Sequence, residues 1–211
     1  MALSDAQIER YSRQIIVPAL SGRAQERLLA ASMLIVGDVA DIAMPTAYLV
    51  GAGVGAIRIA AEVEDSALEK LIARMRALNS DCKIESSSHE SNSDFVFATV
   101  GSTRALETAN SVSRPASTVL VRLDTPAKIA IIRKSPPCIR CADANLLAPF
   151  GVRVENSEFV AMAATVEALK LLAKIDSDAS HSALAEFRGY QSTSRLLKRA
   201  PGARGCACPN A

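Results

Sequence analysis

Apolar residues fall along this chain in short runs and periodic stretches, spaced by turns as helices or as strands. Near the start, Ile8, Tyr11 and Ile15 recur at helical spacing behind Ser4-Asp5-Ala6-Gln7. A Ser followed three residues on by Gln has the spacing of a capping box. The pattern predicts a helix that stops near Pro18, and a second helix over Gln25–Ala31. Met33–Val36 is a continuous apolar run, which predicts a buried strand ending at Gly37. Ile42–Val50 reads as helix, with Pro45 tolerable only in its first turn. Gly51, Gly53 and Gly55 mark a return loop into a second strand, Ala56–Ala60. That is a βαβ unit, the opening of a doubly wound α/β sheet.

Ser66–Leu78 is helical by pattern, with Leu68, Leu71, Ile72, Met75 and Leu78 on one face. Lys83–Ser86 is a weak third strand, Asp94–Thr99 a fourth, and Arg104–Ser113 a helix. Thr118–Leu123 and Lys128–Arg133 alternate like an antiparallel pair around Asp124-Thr125-Pro126. Leu146–Glu155 reads as irregular. Glu158–Ile175 is the strongest helix, with Phe159, Met162, Val166, Leu169 and Leu172 as its apolar stripe. Ser177–Ser182 is a polar linker, so the expected division is a Rossmann-like domain over 1–176 and a tail over 177–211, within one structural unit.

Composition narrows the class. Of 211 residues, 49% are apolar and 22% charged, enough to build a core and against a disordered chain. No apolar run approaches the ~20 residues of a membrane span. The opening MALSDAQIERYSRQ has no signal-peptide pattern, so a cytoplasmic protein is expected. A net charge of +2 is too balanced to indicate nucleic acid. Phe187–Ala211 holds five basic residues and no acidic ones, but without interleaved aromatics it reads as a solvated tail. His89 and His181 stand alone in polar surroundings and read as surface histidines.

Cys138 and Cys141 form C-x-x-C, Cys206 and Cys208 form C-x-C, and Cys82 stands alone. In a reducing compartment such pairs suggest metal before disulfide. A nucleotide-binding βαβ unit needs glycines between its first strand and helix, so that backbone amides can approach phosphate. Here the turn reads Gly37-Asp38-Val39-Ala40-Asp41-Ile42, with one glycine. Asp38 and Asp41 suit the positive end of a helix and repel a triphosphate. Strand two ends Ile59-Ala60-Ala61, without an in-register acid to hold a ribose; Glu62, Glu64 and Asp65 follow, so an out-of-register acid is the other reading.

Read as a whole, the chain resembles the ThiF/MoeB/HesA family, relatives of ubiquitin-activating enzymes. The resemblance rests on LSDAQIERYSRQIIVPAL with Arg10-Tyr11-x-Arg13-Gln14 intact, then MLIVG, AYLVGAGVGAIRIA, ALNSDCKIE and SDFVFATVGSTRALETAN. PPCIRC, TVEALKLL and the terminal Cys pair follow in the family's order. It implies a Rossmann-like doubly wound sheet with a C-terminal antiparallel portion and a zinc-knuckle tail. It also implies ATP-dependent adenylation of a small β-grasp carrier protein, usually by a homodimer.

Carried over residue by residue, most of the family's ATP site fails. The glycine-rich loop falls on Gly37–Ile42, the ribose acid on Ala61, and the Asp that helps hold metal–ATP on Gly101. Lys70 is an ambiguous stand-in for the basic segment, and Asn145–Phe150 lacks the sulfur-transfer Cys of some members. Two elements survive. Arg13 matches an arginine that in the family reaches across the dimer to the partner's ATP; a surface or fold-stabilising arginine is the other reading. Cys138, Cys141, Cys206 and Cys208 match the family's structural zinc ligands, although C-x-C replaces its second C-x-x-C; reduced thiols are the other reading. The expectation is a non-catalytic scaffold or partner subunit, zinc-bound and without ATP. It would pair with itself or with an active relative, or engage a β-grasp carrier or peptide. The alternatives are an active adenylating enzyme with a reorganised site, and a carrier- or peptide-binding module.

Overall fold

The computed structural model describes residues 2–18, 20–61, 66–87, 93–112, 117–133, 149–175 and 182–197. Helix α1 (Asp5–Ile15) starts at the predicted capping box. Gln7 N–H donates to Ser4 Oγ at 3.3 Å, and Ser4 N–H donates to Gln7 Oε1 at 3.1 Å. Its buried residue, Tyr11, is 1% exposed and turned into the fold. The Tyr11 hydroxyl donates to Asp81 Oδ2 at 3.1 Å and accepts from Asn79 Nδ2 at 2.9 Å. Asn79 also donates to Val50 O at 2.8 Å, tying α1 to the end of a later helix. Burial pushes the Tyr11 phenol above its ordinary value, Asn79 opposing and Asp81 reinforcing. Gly53 closes this corner: its φ is +88°, and a Cβ there would lie 2.7 Å from the Tyr11 ring. Such a conformation and such a gap both require glycine.

After α2 (Ser21–Ala30) come β1 (Ser32–Gly37), α3 (Val39–Gly51), β2 (Ala56–Ala61), α4 (Ser66–Leu78), β3 (Lys83–Ser86), β4 (Phe95–Val100) and α5 (Thr103–Val112). The chain continues through β5 (Ser117–Arg122), β6 (Ala127–Ile132), α6 (Ser157–Ala173), β7 (Ala183–Arg188) and β8 (Gln191–Leu196). The strands form one sheet in the order β3-β2-β1-β4-β5-β6-β7-β8. β3 through β5 in that order are parallel, and β5 through β8 antiparallel. β1 and β4 read as continuous apolar runs because both of their faces are covered. Met33, Ile35, Phe95, Phe97, Val119 and Val121 face the larger core, beneath α2, α3, α4 and α6. Leu34, Val36, Val96, Ala98 and Leu120 face the smaller one, against Ala105, Leu106 and Ala109 of α5.

Three expectations change. Pro45 lies in the second turn of α3, because the helix begins at Val39 and not at Ile42. The stripe expected for α6 is not its buried face. Val160, Ala161, Ala164, Thr165 and Ala168 turn inward, while Phe159 and Val166 are exposed. The helix is apolar nearly all round, and its small residues allow the close approach to α3. Finally, residues 183–196, read as part of an apolar-poor tail, add a hairpin to the sheet. Every residue of β8 is exposed, so its polar sequence has no apolar alternation to read. Among the described residues no helix is long and apolar enough to cross a membrane.

Candidate functional site

The strand order reverses between β1 and β4, and open α/β sheets bind ligands outside the carboxyl ends of such strands. A hollow of about 190 Å³ lies there, lined by Asp41, Gly101, Asp124, Phe150, Gly151 and Arg153 among others. That is below the ~300–1,000 Å³ common for ligand pockets.

Gly37 ends β1 at the edge of this region. Its φ is +150°, and a Cβ would lie 2.0 Å from Thr99 Oγ1 on β4. The close approach of β1 to β4 therefore accounts for this glycine without a phosphate. Asp38 caps α3, accepting from Ala40 N–H on its side chain at 3.0 Å. The N–H groups of Asp41 and Ile42 both donate to Asp38 O at 3.0 Å. Val39, half-buried, packs against the larger core, and Ile42 is fully buried in it. The Ala40, Asp41 and Ile42 amides are thus engaged within the chain.

Asp41, whose side chain is 10% exposed, forms an ion pair with Arg153. Arg153 also donates from Nε to Ser157 Oγ at 3.1 Å. Its backbone is held by a bridge to Asp124, flanked by Thr125 N–H to Val152 O at 2.9 Å and Val154 N–H to Leu123 O at 2.8 Å. A second pair backs the hollow. The Arg122 side chain is 1% exposed and donates to Asp124 through Nε at 2.9 Å and through Nη2. It also reaches Pro149 O at 3.2 Å and lies 4.4 Å over the Phe150 ring. Gly151 N–H donates to Asp124 Oδ2 at 2.9 Å. Burial raises the Asp124 carboxyl, but the hydrogen bonds from Arg122 and Gly151 and the Arg122 charge outweigh it, and the net shift is down.

Gly101 lines the hollow, with open space where a Cβ would be. Ser102 beside it serves α5, accepting Ala105 N–H on Oγ at 3.1 Å. Ala61 is buried at the end of β2. Lys70 and Arg13 are exposed on α4 and α1, and neither lines the hollow. Cys82 is buried, and burial pushes its thiol up to about 12, so it is a packing residue and not a nucleophile. Cys138, Cys141, Cys206, Cys208, His89 and His181 lie outside the described residues. Among the described residues no cluster of His, Cys, Asp or Glu is placed to hold a metal.

Sequence reading missed Arg122, Asp124, Phe150 and Arg153. For the first pair a signal was present. Arg122 and Asp124 stand two apart after the apolar run Thr118–Val121, so both point to one side of the strand. A charged residue in such a run needs a partner. Arg153, distant from Asp41 and in an irregular stretch, had none.

Part of the chain is similar to known proteins. The chain is 44% identical over 73 residues to the adenylyltransferase and sulfurtransferase uba4 of Pyricularia oryzae, covering 34% of this chain and 15% of that protein. It is 40% identical over 86 residues to the adenylyltransferase and sulfurtransferase MOCS3 of Bos taurus, covering 39% and 19%. The chain is a relative of the ThiF/MoeB/HesA proteins. The match spans less than a fifth of the length of these curated relatives. The fold agrees: E. coli MccB superposes with a TM-score of 0.70 at 14% identity, over 93% of this chain and 74% of that one. No family model matches. In the crevice Asp38 accepts from Ala40 N–H, Asp41 pairs with Arg153, and Arg122 pairs with Asp124.

Proposed function

We propose that this chain is a non-catalytic ThiF/MoeB-type protein, acting as a scaffold or partner subunit and not as an adenylating enzyme. The ion pair between Asp41 and Arg153 carries the reading. It places a carboxylate at the start of α3, where a nucleotide phosphate would need amides. It also takes up a cation lining the hollow. Among the described residues the set does not fit ATP; Glu62, Glu64 and Asp65 lie outside them. Gly37 is committed to β1–β4 packing, Ala61 and Gly101 offer no carboxylate, and Asp38 caps the helix. No adenylation step is assigned to them.

The role left for such a protein is association. Arg13, exposed on α1, is the side chain we assign to a partner's site, within a homodimer or beside an active relative. Cys138, Cys141, Cys206 and Cys208 are assigned to a structural zinc, since four thiolates satisfy its tetrahedral preference. A second reading, a peptide- or carrier-binding module, is supported by the likeness to MccB, solved in complex with N-formylated MccA.

Pyrophosphate exchange with β-grasp carrier proteins present tests the proposal. Exchange at background is expected, together with a dimer by light scattering. Exchange above background that Arg13→Ala or Lys70→Ala abolishes would overturn it.

A further inference from the structure

At the opposite end of the sheet, where β4 and β5 begin and β6 ends, lies a hollow of about 370 Å³. Its ionic lining comes from separate elements: Arg27 of α2, Arg133 after β6, Lys174 after α6, and Asp94 before β4. Asp94 Oδ2 accepts from Ser32 Oγ at 2.9 Å, and among the described residues no ion pair joins it to these cations.

The bland account of these cations is that they face helix carboxyl ends. α2 ends at Ala30 and α6 at Ala173, each contributing about half a negative charge. Arg27 Nη1 does donate to Ala173 O at 3.0 Å. Lys174, with φ +55°, closes α6 through its backbone. Three cations against Asp94 and two helix ends still leave about one net positive charge. Arg133 is not covered by the bland account. Its Nε is buried and has no hydrogen-bond partner among the described residues. Its backbone N–H, by contrast, is held by Ser182 Oγ at 3.1 Å. A buried guanidinium N–H without an acceptor is a costly group, and one lining a cationic hollow points to an anion as the missing acceptor.

We propose that this hollow is a binding site for a small phosphoryl oxyanion, with Arg133 as its anchor and Arg27 and Lys174 as its rim. A guanidinium fork matches tetrahedral oxyanions, and two more cations favour a doubly charged group over a carboxylate. The site is separate from the β1–β4 crevice and does not depend on whether that crevice binds a nucleotide.

Calorimetric titration of the full chain with inorganic phosphate, glycerol phosphate and acetate in low salt tests this. Saturable binding of both phosphates, with acetate much weaker, is expected. Equal affinities would mean that the free group is recognised; tighter glycerol phosphate would mean that the group arrives as an ester. Arg133→Gln should weaken binding by about tenfold, and Lys174→Asn, which tolerates the left-handed backbone, severalfold. Arg74→Gln, on the exposed face of α4, should change nothing. If Arg133→Gln does not fold, Arg27→Gln and Lys174→Asn decide the matter. No saturable phosphate binding, or losses as large in Arg74→Gln as in the cleft variants, would overturn the proposal.

Discussion

Arg153 reaches across 112 positions of sequence to pair with Asp41 in the first turn of α3. The pair joins the irregular stretch before α6 to the helix that opens the nucleotide crevice of this fold. It is half in solvent, with Arg153 53% exposed. Arg153→Ala should therefore cost only about 1 kcal/mol in urea unfolding. Asp41→Ala should cost a similar amount. The double variant should cost less than the sum of the two, because each single change already breaks the pair.

The Arg122–Asp124 pair is a different case, because Arg122 is enclosed. Arg122→Met strands a carboxylate under Phe150 and Gly151 and should cost ~3–5 kcal/mol. Arg122→Met with Asp124→Leu removes both charges and should recover much of that loss. Chemical denaturation of the three variants checks the order.

Acid stability follows from the same carboxylate. The folded pKa of Asp124 is held below its unfolded value of ~3.9, so the folded protein favours the charged form. That contribution is complete above the unfolded pKa. It is lost as pH falls through the folded one. Asp124→Asn should flatten the fall in stability below about pH 4 while leaving its slope near neutrality unchanged. Unfolding free energies measured across that range would show it.

Gly37 and Gly101 should respond oppositely to substitution. Gly37→Ala drives a Cβ into Thr99 at a left-handed backbone angle and should cost ~3 kcal/mol or more. Gly101→Ala meets no atom and should stay within ~0.5 kcal/mol. Thermal melts of the pair separate a glycine kept for packing from one whose Cβ would meet open space.

The elements that pattern could find are those whose burial is one-sided or complete. The strand Met33–Val36 and the strands either side of Asp124-Thr125-Pro126 were legible for that reason, and the exposed capping box at Ser4 from its spacing. α6 misled because its apolar residues surround it, and packing against the sheet and its neighbouring helices buries Ala161, Ala164 and Ala168 more deeply than the bulkier Phe159 and Val166. β8 was invisible because an exposed edge strand carries no apolar alternation. At the site, the single glycine and the two aspartates of the turn after β1 could be read directly from the sequence. Their partners could not. Arg153 meets Asp41 only after the sheet has folded, and Gly37 is explained by Thr99, a residue on another strand.

The proposed function requires that the crevice between β1 and β4 be satisfied from within and take no nucleotide. Calorimetric titration of the intact chain with magnesium-ATP tests it most directly. No saturable heat is expected at concentrations up to the millimolar range, for the natural chain and for Arg153→Ala alike. Saturable binding in the micromolar range, weakened by a change at Asp38, Asp41 or Arg153, would contradict it.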